Sequence, residues 1–125
     1  MPSILLVEDD PLITEIYETK LKESGFDVET LSDGRNVFKR LKEKKFDLLV
    51  LDIVLPNLTG FEILRKIRKD KDLKNLKIFV LSNLGQRSDV DLAKELGALK
   101  YLIKANFTPS EIVQEIQKIL VSKKS

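Results

Sequence analysis

Five times along this chain a short apolar run of strand length is followed by a segment whose apolar residues recur at helical spacing. The runs are SILLV (3 to 7), FDVET (26 to 30), FDLLVL (46 to 51), KIFVLS (77 to 82) and KYLIK (100 to 104). Their β-branched and aromatic content suits strands. Leu12, Ile13, Ile16, Tyr17 and Leu21 share one helical face, and Val37, Phe38 and Leu41 a second. Phe61, Leu64 and Ile67 make a third, Val90, Ala93 and Leu96 a fourth, and Ile112, Val113, Ile116, Ile119 and Leu120 a fifth. Such spacing places each set on one side of a helix. Strands joined by crossover helices pair in parallel, so the pattern predicts a three-layer α/β sandwich with helices on both faces of the sheet. The unbroken apolar character of SILLV and FDLLVL fits strands covered on both faces.

The punctuation agrees with this division. Thr59 with Glu62 and Thr108 with Glu111 have capping-box spacing, the second with Pro109 at the first helical position, where its missing N–H costs nothing. Gly25 and Gly97 stand just past periodic segments, where a left-handed residue is wanted. No linker, internal repeat or low-complexity stretch interrupts the series, so one domain over 1–125 is expected, with its core at about 3–121 and a short basic tail.

The residue types limit the chemistry. The 125 residues contain no cysteine and no histidine, which removes disulfides, thiolate metal sites, the usual general base and the usual zinc ligand. Hydrophobic content of 42% and charged content of 34% are globular values. The net charge is only +2, and the lysines are interspersed with acids rather than gathered in a stripe, which argues against a nucleic-acid footprint. The N-terminus lacks the length and basic start of a signal peptide or spanning helix, so a cytoplasmic location is expected.

In open parallel sheets ligands bind beyond the C-terminal ends of the strands, at a topological switch point. The residues there are Glu8, Asp9 and Asp10 after the first strand, Asp52 after the third, Ser82 and Asn83 after the fourth and Lys104 after the fifth. The second strand is followed by nothing comparable. If the first and third strands are neighbours, three or four carboxylates converge, and they repel unless a cation joins them or some protonate. An all-oxygen donor set selects Mg²⁺, Mn²⁺ or Ca²⁺, and an open site of few carboxylates suits Mg²⁺ better than Ca²⁺. A divalent ion, an ammonium and a hydroxyl together would clamp a phosphoryl group, with Asp52 as the nucleophile that forms an acyl phosphate. Each residue also has a plainer role. Asp52 precedes a proline turn, Glu8 and Asp9 could serve a helix N-terminus, and Asp10 beside Pro11 reads as the cap of the first helix. Lys104 alone is a surface lysine, and Ser82 alone a strand terminus. Their coincidence on one sheet edge favours a site.

Taken in order, ILLVEDDP, LLVLDIVLPNLTGFEIL, FVLSN and LGALKYLIKANFTPSEI resemble the receiver domain of bacterial response regulators, the phosphoacceptor half of two-component signalling, over about residues 3 to 121. The resemblance implies a flavodoxin-like (βα)5 fold with strand order 2-1-3-4-5. It also implies that Asp52 accepts a phosphoryl group from a phosphohistidine on a partner histidine kinase or histidine phosphotransfer protein. Mg²⁺, with Mn²⁺ able to substitute, would be held by Glu8, Asp9, Asp52 and the backbone carbonyl of Val54. Ser82, the backbone of Asn83, and Lys104 would bind phosphoryl oxygens, and Ser82 and Tyr101 would move as a switch. Such a chain is a phosphorelay signalling protein rather than an enzyme, catalysing only its own Mg²⁺-dependent phosphorylation and slow dephosphorylation. With only SKKS after the last helix, output by protein contact is expected, through the face of the fourth helix, fifth strand and fifth helix. A monomer or a phosphorylation-dependent dimer would serve, without direct contact to nucleic acid or membrane.

Two departures carry expectations of their own. The family usually has proline after the lysine, often after a cis peptide bond, whereas Ala105 stands here. A cis bond before a non-proline residue costs about 3 kcal/mol, so a trans peptide and a reshaped loop over 105–108 are expected. Val54 and Leu84, two residues beyond Asp52 and Ser82, are apolar where polar residues often position the hydrolytic water, which implies slow self-dephosphorylation. Other proteins of this architecture fit less well. An FMN carrier needs a hydroxyl- and glycine-rich loop where Glu8 and Asp9 stand, a dinucleotide binder needs G-x-G-x-x-G there, and an aspartyl phosphatase would usually carry a second acid at position 54. A receiver-like scaffold that never takes phosphate would be indicated by loss of Asp52, Asp9 or Lys104, and all three are present.

Overall fold

The computed structural model describes residues 1–121, so the SKKS tail lies outside the described residues. The strands are β1 (Ser3–Val7), β2 (Asp27–Leu31), β3 (Leu48–Leu51), β4 (Ile78–Ser82) and β5 (Lys100–Ile103). The helices are α1 (Pro11–Glu23), α2 (Val37–Glu43), α3 (Gly60–Lys69), α4 (Arg87–Glu95) and α5 (Pro109–Val121). Single 3-10 turns over Gly34–Asn36 and Lys104–Asn106 lead into α2 and towards α5. The five strands form one parallel sheet in the order β2-β1-β3-β4-β5. This is the flavodoxin-like topology, and the order reverses between β1 and β3.

The pleat sends alternate strand residues to opposite faces and so divides the core in two. Leu5, Val7, Leu49, Leu51 and Val80 pack with Val37, Leu41, Ile63, Leu64, Ile67 and Ala93, so α2, α3 and α4 cover one face. Ile4, Leu6, Val50, Phe79 and Leu81 pack with Tyr17, Leu21, Ile112, Val113 and Ile116, so α1 and α5 cover the other. β1, β3 and β4 are central strands, and β3 and β4 are buried along their whole length. Each fully buried Leu, Ile or Phe there contributes about 1.5–3 kcal/mol relative to exposure.

The expected helix signals appear as hydrogen bonds. Thr59 and Glu62 make a reciprocal capping box at α3. The N–H of Thr108 donates to Glu111 Oε1 (2.8 Å), and the N–H of Glu111 to Thr108 Oγ1 (3.2 Å). Gly25 and Gly97 take positive φ, 95° and 101°, after α1 and α4. The first helical face differs from expectation. Ile13, Tyr17 and Leu21, four residues apart, turn inward, and this rotates Leu12 and Ile16 outward to 66% and 37% exposure. No helix among the described residues is long and apolar enough to cross a membrane.

Candidate phosphoacceptor site

Register decides which side chains meet. Val7 of β1 is paired with Leu51 of β3, so the next residues, Glu8 and Asp52, leave the sheet side by side. Backbone bonds carry the ladder one step further: the N–H of Asp52 donates to the Val7 carbonyl (3.2 Å), and that of Glu8 to the Leu31 carbonyl (3.1 Å). Ser82 is paired with Ile103, so Asn83 and Lys104 leave β4 and β5 at one level. Close backbone approach holds the loop after β3 from behind. A Cβ on Gly60 would lie 2.6 Å from the Asp52 carbonyl oxygen and 2.7 Å from the Ile53 Cα, so only glycine lets α3 start there.

At this edge Glu8, Asp52 and Ser82 are buried, whereas Asp9 is exposed. One carboxylate oxygen from each of Glu8, Asp9 and Asp52 lies within 4.8 Å of the others. Lys104 Nζ reaches into the group, donating to Glu8 Oε1 (2.5 Å) and to Asp52 Oδ2 (2.7 Å). The other Asp52 oxygen, Oδ1, accepts from the Val54 N–H at 3.0 Å. Burial is the largest influence on Glu8 and pushes its pKa above the ordinary glutamate value, although Lys104 pulls the other way. Burial also opposes the Lys104 ammonium, but hydrogen bonds to Asp52 and Glu8 outweigh it and raise its pKa. The Glu8 shift follows from burial and the Lys104 shift from its carboxylate partners, and the ammonium stays protonated at neutral pH.

Asp10 stands apart from this cluster. It caps α1, its Oδ1 accepting from the N–H groups of Leu12 (2.9 Å) and Ile13 (3.3 Å), while its own N–H donates to Glu8 Oε2 (3.1 Å). Thr14 Oγ1 donates to the Asp10 carbonyl (2.9 Å) and ties the first turn down. A groove of about 470 Å³ runs from Glu8 and Asp9 past Thr14, Glu15 and Glu18 to Thr30. A larger depression, about 900 Å³, lies around Phe46, Asp47 and Lys77 near the N-terminal strand ends, away from the acids.

The hydroxyl side of the site is hydrogen-bonded within itself. Ser82 Oγ accepts from the Leu84 N–H (3.3 Å), and Tyr101 Oη donates to the Leu84 carbonyl (2.6 Å). Burial first, and the nearby Asp89 charge second, raise the Tyr101 pKa. The peptide between Lys104 and Ala105 is trans, as expected for a non-proline residue. The Ala105 N–H donates to Asn83 Oδ1 at 3.1 Å. After β2, Asp33 is taken up by Arg35 and by Asn57 Nδ2 (2.9 Å), and those bonds hold its pKa at about 2.

Sequence reasoning placed Lys104 at the strand-end edge but did not foresee that it would bond Glu8, nor that Asn83 would act through its side chain. Both contacts are consequences of register, which residue order alone does not carry. The donor set fits a hard divalent cation: three carboxylates, no nitrogen or sulfur, and one exposed acid opening to solvent.

Known proteins share the sequence pattern and the fold. Residues 4–117 match the model of the response regulator receiver domain. The chain is 37% identical over 117 residues to the alkaline phosphatase synthesis transcriptional regulatory protein PhoP of Bacillus subtilis (strain 168), covering 94% of this chain and 48% of that protein. It spans about half the length of the curated relatives it matches. The Mn²⁺-bound form of the response regulator Rcp1 superposes with a TM-score of 0.88 at 27% identity, over 100% of this chain and 98% of the other. The phosphorylated cyanobacterial phytochrome response regulator RcpA gives 0.89 at 27% identity, over 99% and 96%.

Proposed function

The chain belongs to the response regulator receiver domains, and from that premise we propose that it is a phosphoacceptor switch of a two-component relay, taking a phosphoryl group on Asp52. The observation that carries the reading is the buried Asp52 carboxylate standing beside Lys104 Nζ at 2.7 Å, within a cluster of acids open to solvent at Asp9. The donor is a phosphohistidine on a histidine kinase or histidine phosphotransfer protein, since this chain has no histidine of its own.

In the transfer, a carboxylate oxygen of Asp52 forms a bond to phosphorus, the donor's P–N bond breaks, and the departing imidazole nitrogen takes up a proton. Glu8, Asp9, Asp52 and the Val54 carbonyl would hold Mg²⁺, or Mn²⁺ in its place, which when bound supplies charge stabilisation to the phosphoryl oxygens. The chain's own residues do the remainder. The Val54 N–H orients the acceptor carboxylate through Oδ1. Lys104 Nζ provides an ammonium at the position where negative charge accumulates. Ser82 Oγ and the Asn83 N–H line the β4 side of the incoming group. Ser82 Oγ would donate to a phosphoryl oxygen, and moving towards it would draw the oxygen away from the Leu84 N–H; Leu84 also holds Tyr101, so hydroxyl and ring would respond together. Output then passes through the α4–β5–α5 face to a partner protein. The curated relatives named as transcriptional regulatory proteins are about twice this length.

The test is direct. Incubated with Mg²⁺ and a small phosphodonor, the protein should gain one phosphoryl group by intact mass, EDTA should prevent the gain, and Asp52→Asn should abolish it. An adduct that survives Asp52→Asn would overturn the assignment, and no adduct with either a small donor or a phosphorylated histidine protein would favour a scaffold that keeps the fold alone.

A further inference from the structure

We propose that Asn83 is a positioning residue for Lys104, acting through the hydrogen bond from the Ala105 N–H to its side-chain oxygen. Lys104 opens a single 3-10 turn, Lys104–Asn106, between the end of β5 and α5. A turn that short has little hydrogen bonding of its own: the Phe107 N–H donates to the Lys104 carbonyl at 3.3 Å. The ladder ends one residue earlier, where Ile103 pairs with Ser82. The backbone next to Lys104 is therefore tethered to the sheet by Asn83 Oδ1, 3.1 Å from the Ala105 nitrogen. At the other end of the same side chain, Nζ must span to both Glu8 and Asp52. A long flexible stem reaches two fixed oxygens reproducibly only when its root is fixed.

The tether also joins two parts of the site. Asn83 is the immediate neighbour of Ser82, so a shift of the β4 backbone end that carries the hydroxyl towards a phosphoryl group also moves the group that holds the Lys104 turn. Hydroxyl and ammonium, which come from different strands, are thereby coupled through one amide side chain. The coupling exists because residue 105 has an N–H to give, which a proline would lack. Its catalytic consequence rests on the phosphoacceptor reading above, whereas the tether itself does not.

Nuclear magnetic resonance on the unphosphorylated protein with EDTA tests the tether without any phosphoryl transfer. The Ala105 amide should be protected from hydrogen exchange, and Asn83→Ala should speed its exchange by about three- to tenfold, the range one net hydrogen bond is worth. The Lys104 side-chain signals, assigned by their loss in Lys104→Arg, should move in Asn83→Ala towards those of exposed lysines. Asn83→Asp, which keeps an acceptor oxygen, should restore the amide protection. Ala105→Pro removes the donor and should reproduce the Lys104 shift, with the double variant no further displaced than either single one. With Mg²⁺ and a small phosphodonor, Asn83→Ala should form the adduct about three- to tenfold more slowly. Lys104 signals unmoved by Asn83→Ala, or shifts that add fully in the double variant, would overturn the inference even if the melting temperature fell. Failure of Asp52 to take phosphate would instead strike the functional reading and leave these signals as predicted.

Discussion

Replacing Lys104 with alanine should cost stability, and a divalent cation should return part of it. The Lys104 ammonium stands 2.5 Å from Glu8 and 2.7 Å from Asp52, with the three side chains 11%, 3% and 6% exposed. Its removal leaves two shielded carboxylates facing each other without a counter-charge. Breaking a buried pair by deleting one partner costs about 3–5 kcal/mol. Proton uptake by Glu8 offers relief, because burial already holds that group above the ordinary glutamate value, so the lower end, about 3 kcal/mol, applies. At an unfolding entropy of about 2.1 cal/mol/K per residue, a chain of this size loses about 4 °C per kcal/mol, and the melting temperature should fall by roughly 10 °C. The deficit should also depend on pH with a definite sign. Without the lysine the Glu8 pKa rises further, and a carboxyl whose folded pKa exceeds its unfolded value stabilises at low pH and loses that contribution as pH rises through the folded pKa. The variant should therefore lie closer to the parent near about pH 5 than near about pH 8. A cation binding only the folded state at ten times its Kd adds about 1.4 kcal/mol, and more where no ammonium already neutralises the same acids, so the gap should narrow. Urea and thermal unfolding of both proteins, in EDTA and in Mg²⁺ at each pH, measures all three effects. Equal stability in EDTA at the higher pH, or a gap indifferent to Mg²⁺, would show that the ammonium does not neutralise this cluster.

Two further outcomes are expected. Asp10→Ala should cost about 1 kcal/mol of unfolding free energy through loss of the α1 cap, while Asp9→Ala should abolish Mg²⁺-dependent phosphorylation with little change in stability; reversal of the two phenotypes would exchange the roles assigned to these neighbours. The phosphorylated protein should lose its phosphoryl group slowly, because Val54, 55% exposed beside Asp52, and Leu84 offer no polar side chain to orient a water; a time course of intact mass after donor removal checks this, and rapid loss would contradict it.

The elements that were legible in the sequence are those specified by local chemistry. Thr59 with Glu62, Thr108 with Glu111, and the two left-handed glycines announce helix ends through bonds made within a few residues, so reading them needs no knowledge of the tertiary structure. Asp10 belongs to the same class, since a capping side chain serves its own helix. Helical periodicity was less decisive at α1, where five apolar residues offer two overlapping faces. Packing against Ile4, Leu6 and Phe79 selects the face of Tyr17 and Leu21, and leaves Leu12 and Ile16 in water. The strand boundaries also shift at β3, where Phe46 and Asp47 precede the ladder that starts at Leu48.

The site was legible as a set of residue types and illegible as a set of contacts, and the reason is register. Acids after β1 and β3 had to meet once those strands were neighbours, because parallel strands present their C-terminal ends on one edge. Which oxygen meets which nitrogen depends on Val7 lying opposite Leu51 and Ser82 opposite Ile103, and a slip of one residue would turn Glu8 or Lys104 to the other face of the sheet. The resemblance accordingly gave the cation to Glu8, Asp9, Asp52 and the Val54 carbonyl, and the phosphoryl oxygens to Ser82, the Asn83 backbone and Lys104, as separate duties. In the folded chain the duties overlap, because Lys104 Nζ bonds Glu8 and Asp52, two of the three acids that could hold a cation. A buried carboxylate cluster must be neutralised in every state of the protein. On the proposed phosphoacceptor reading, the lysine that covers the charge of the acids in one state would be the group that covers the charge of a phosphoryl in another, and its position between β5 and α5 would link that exchange to the proposed output face.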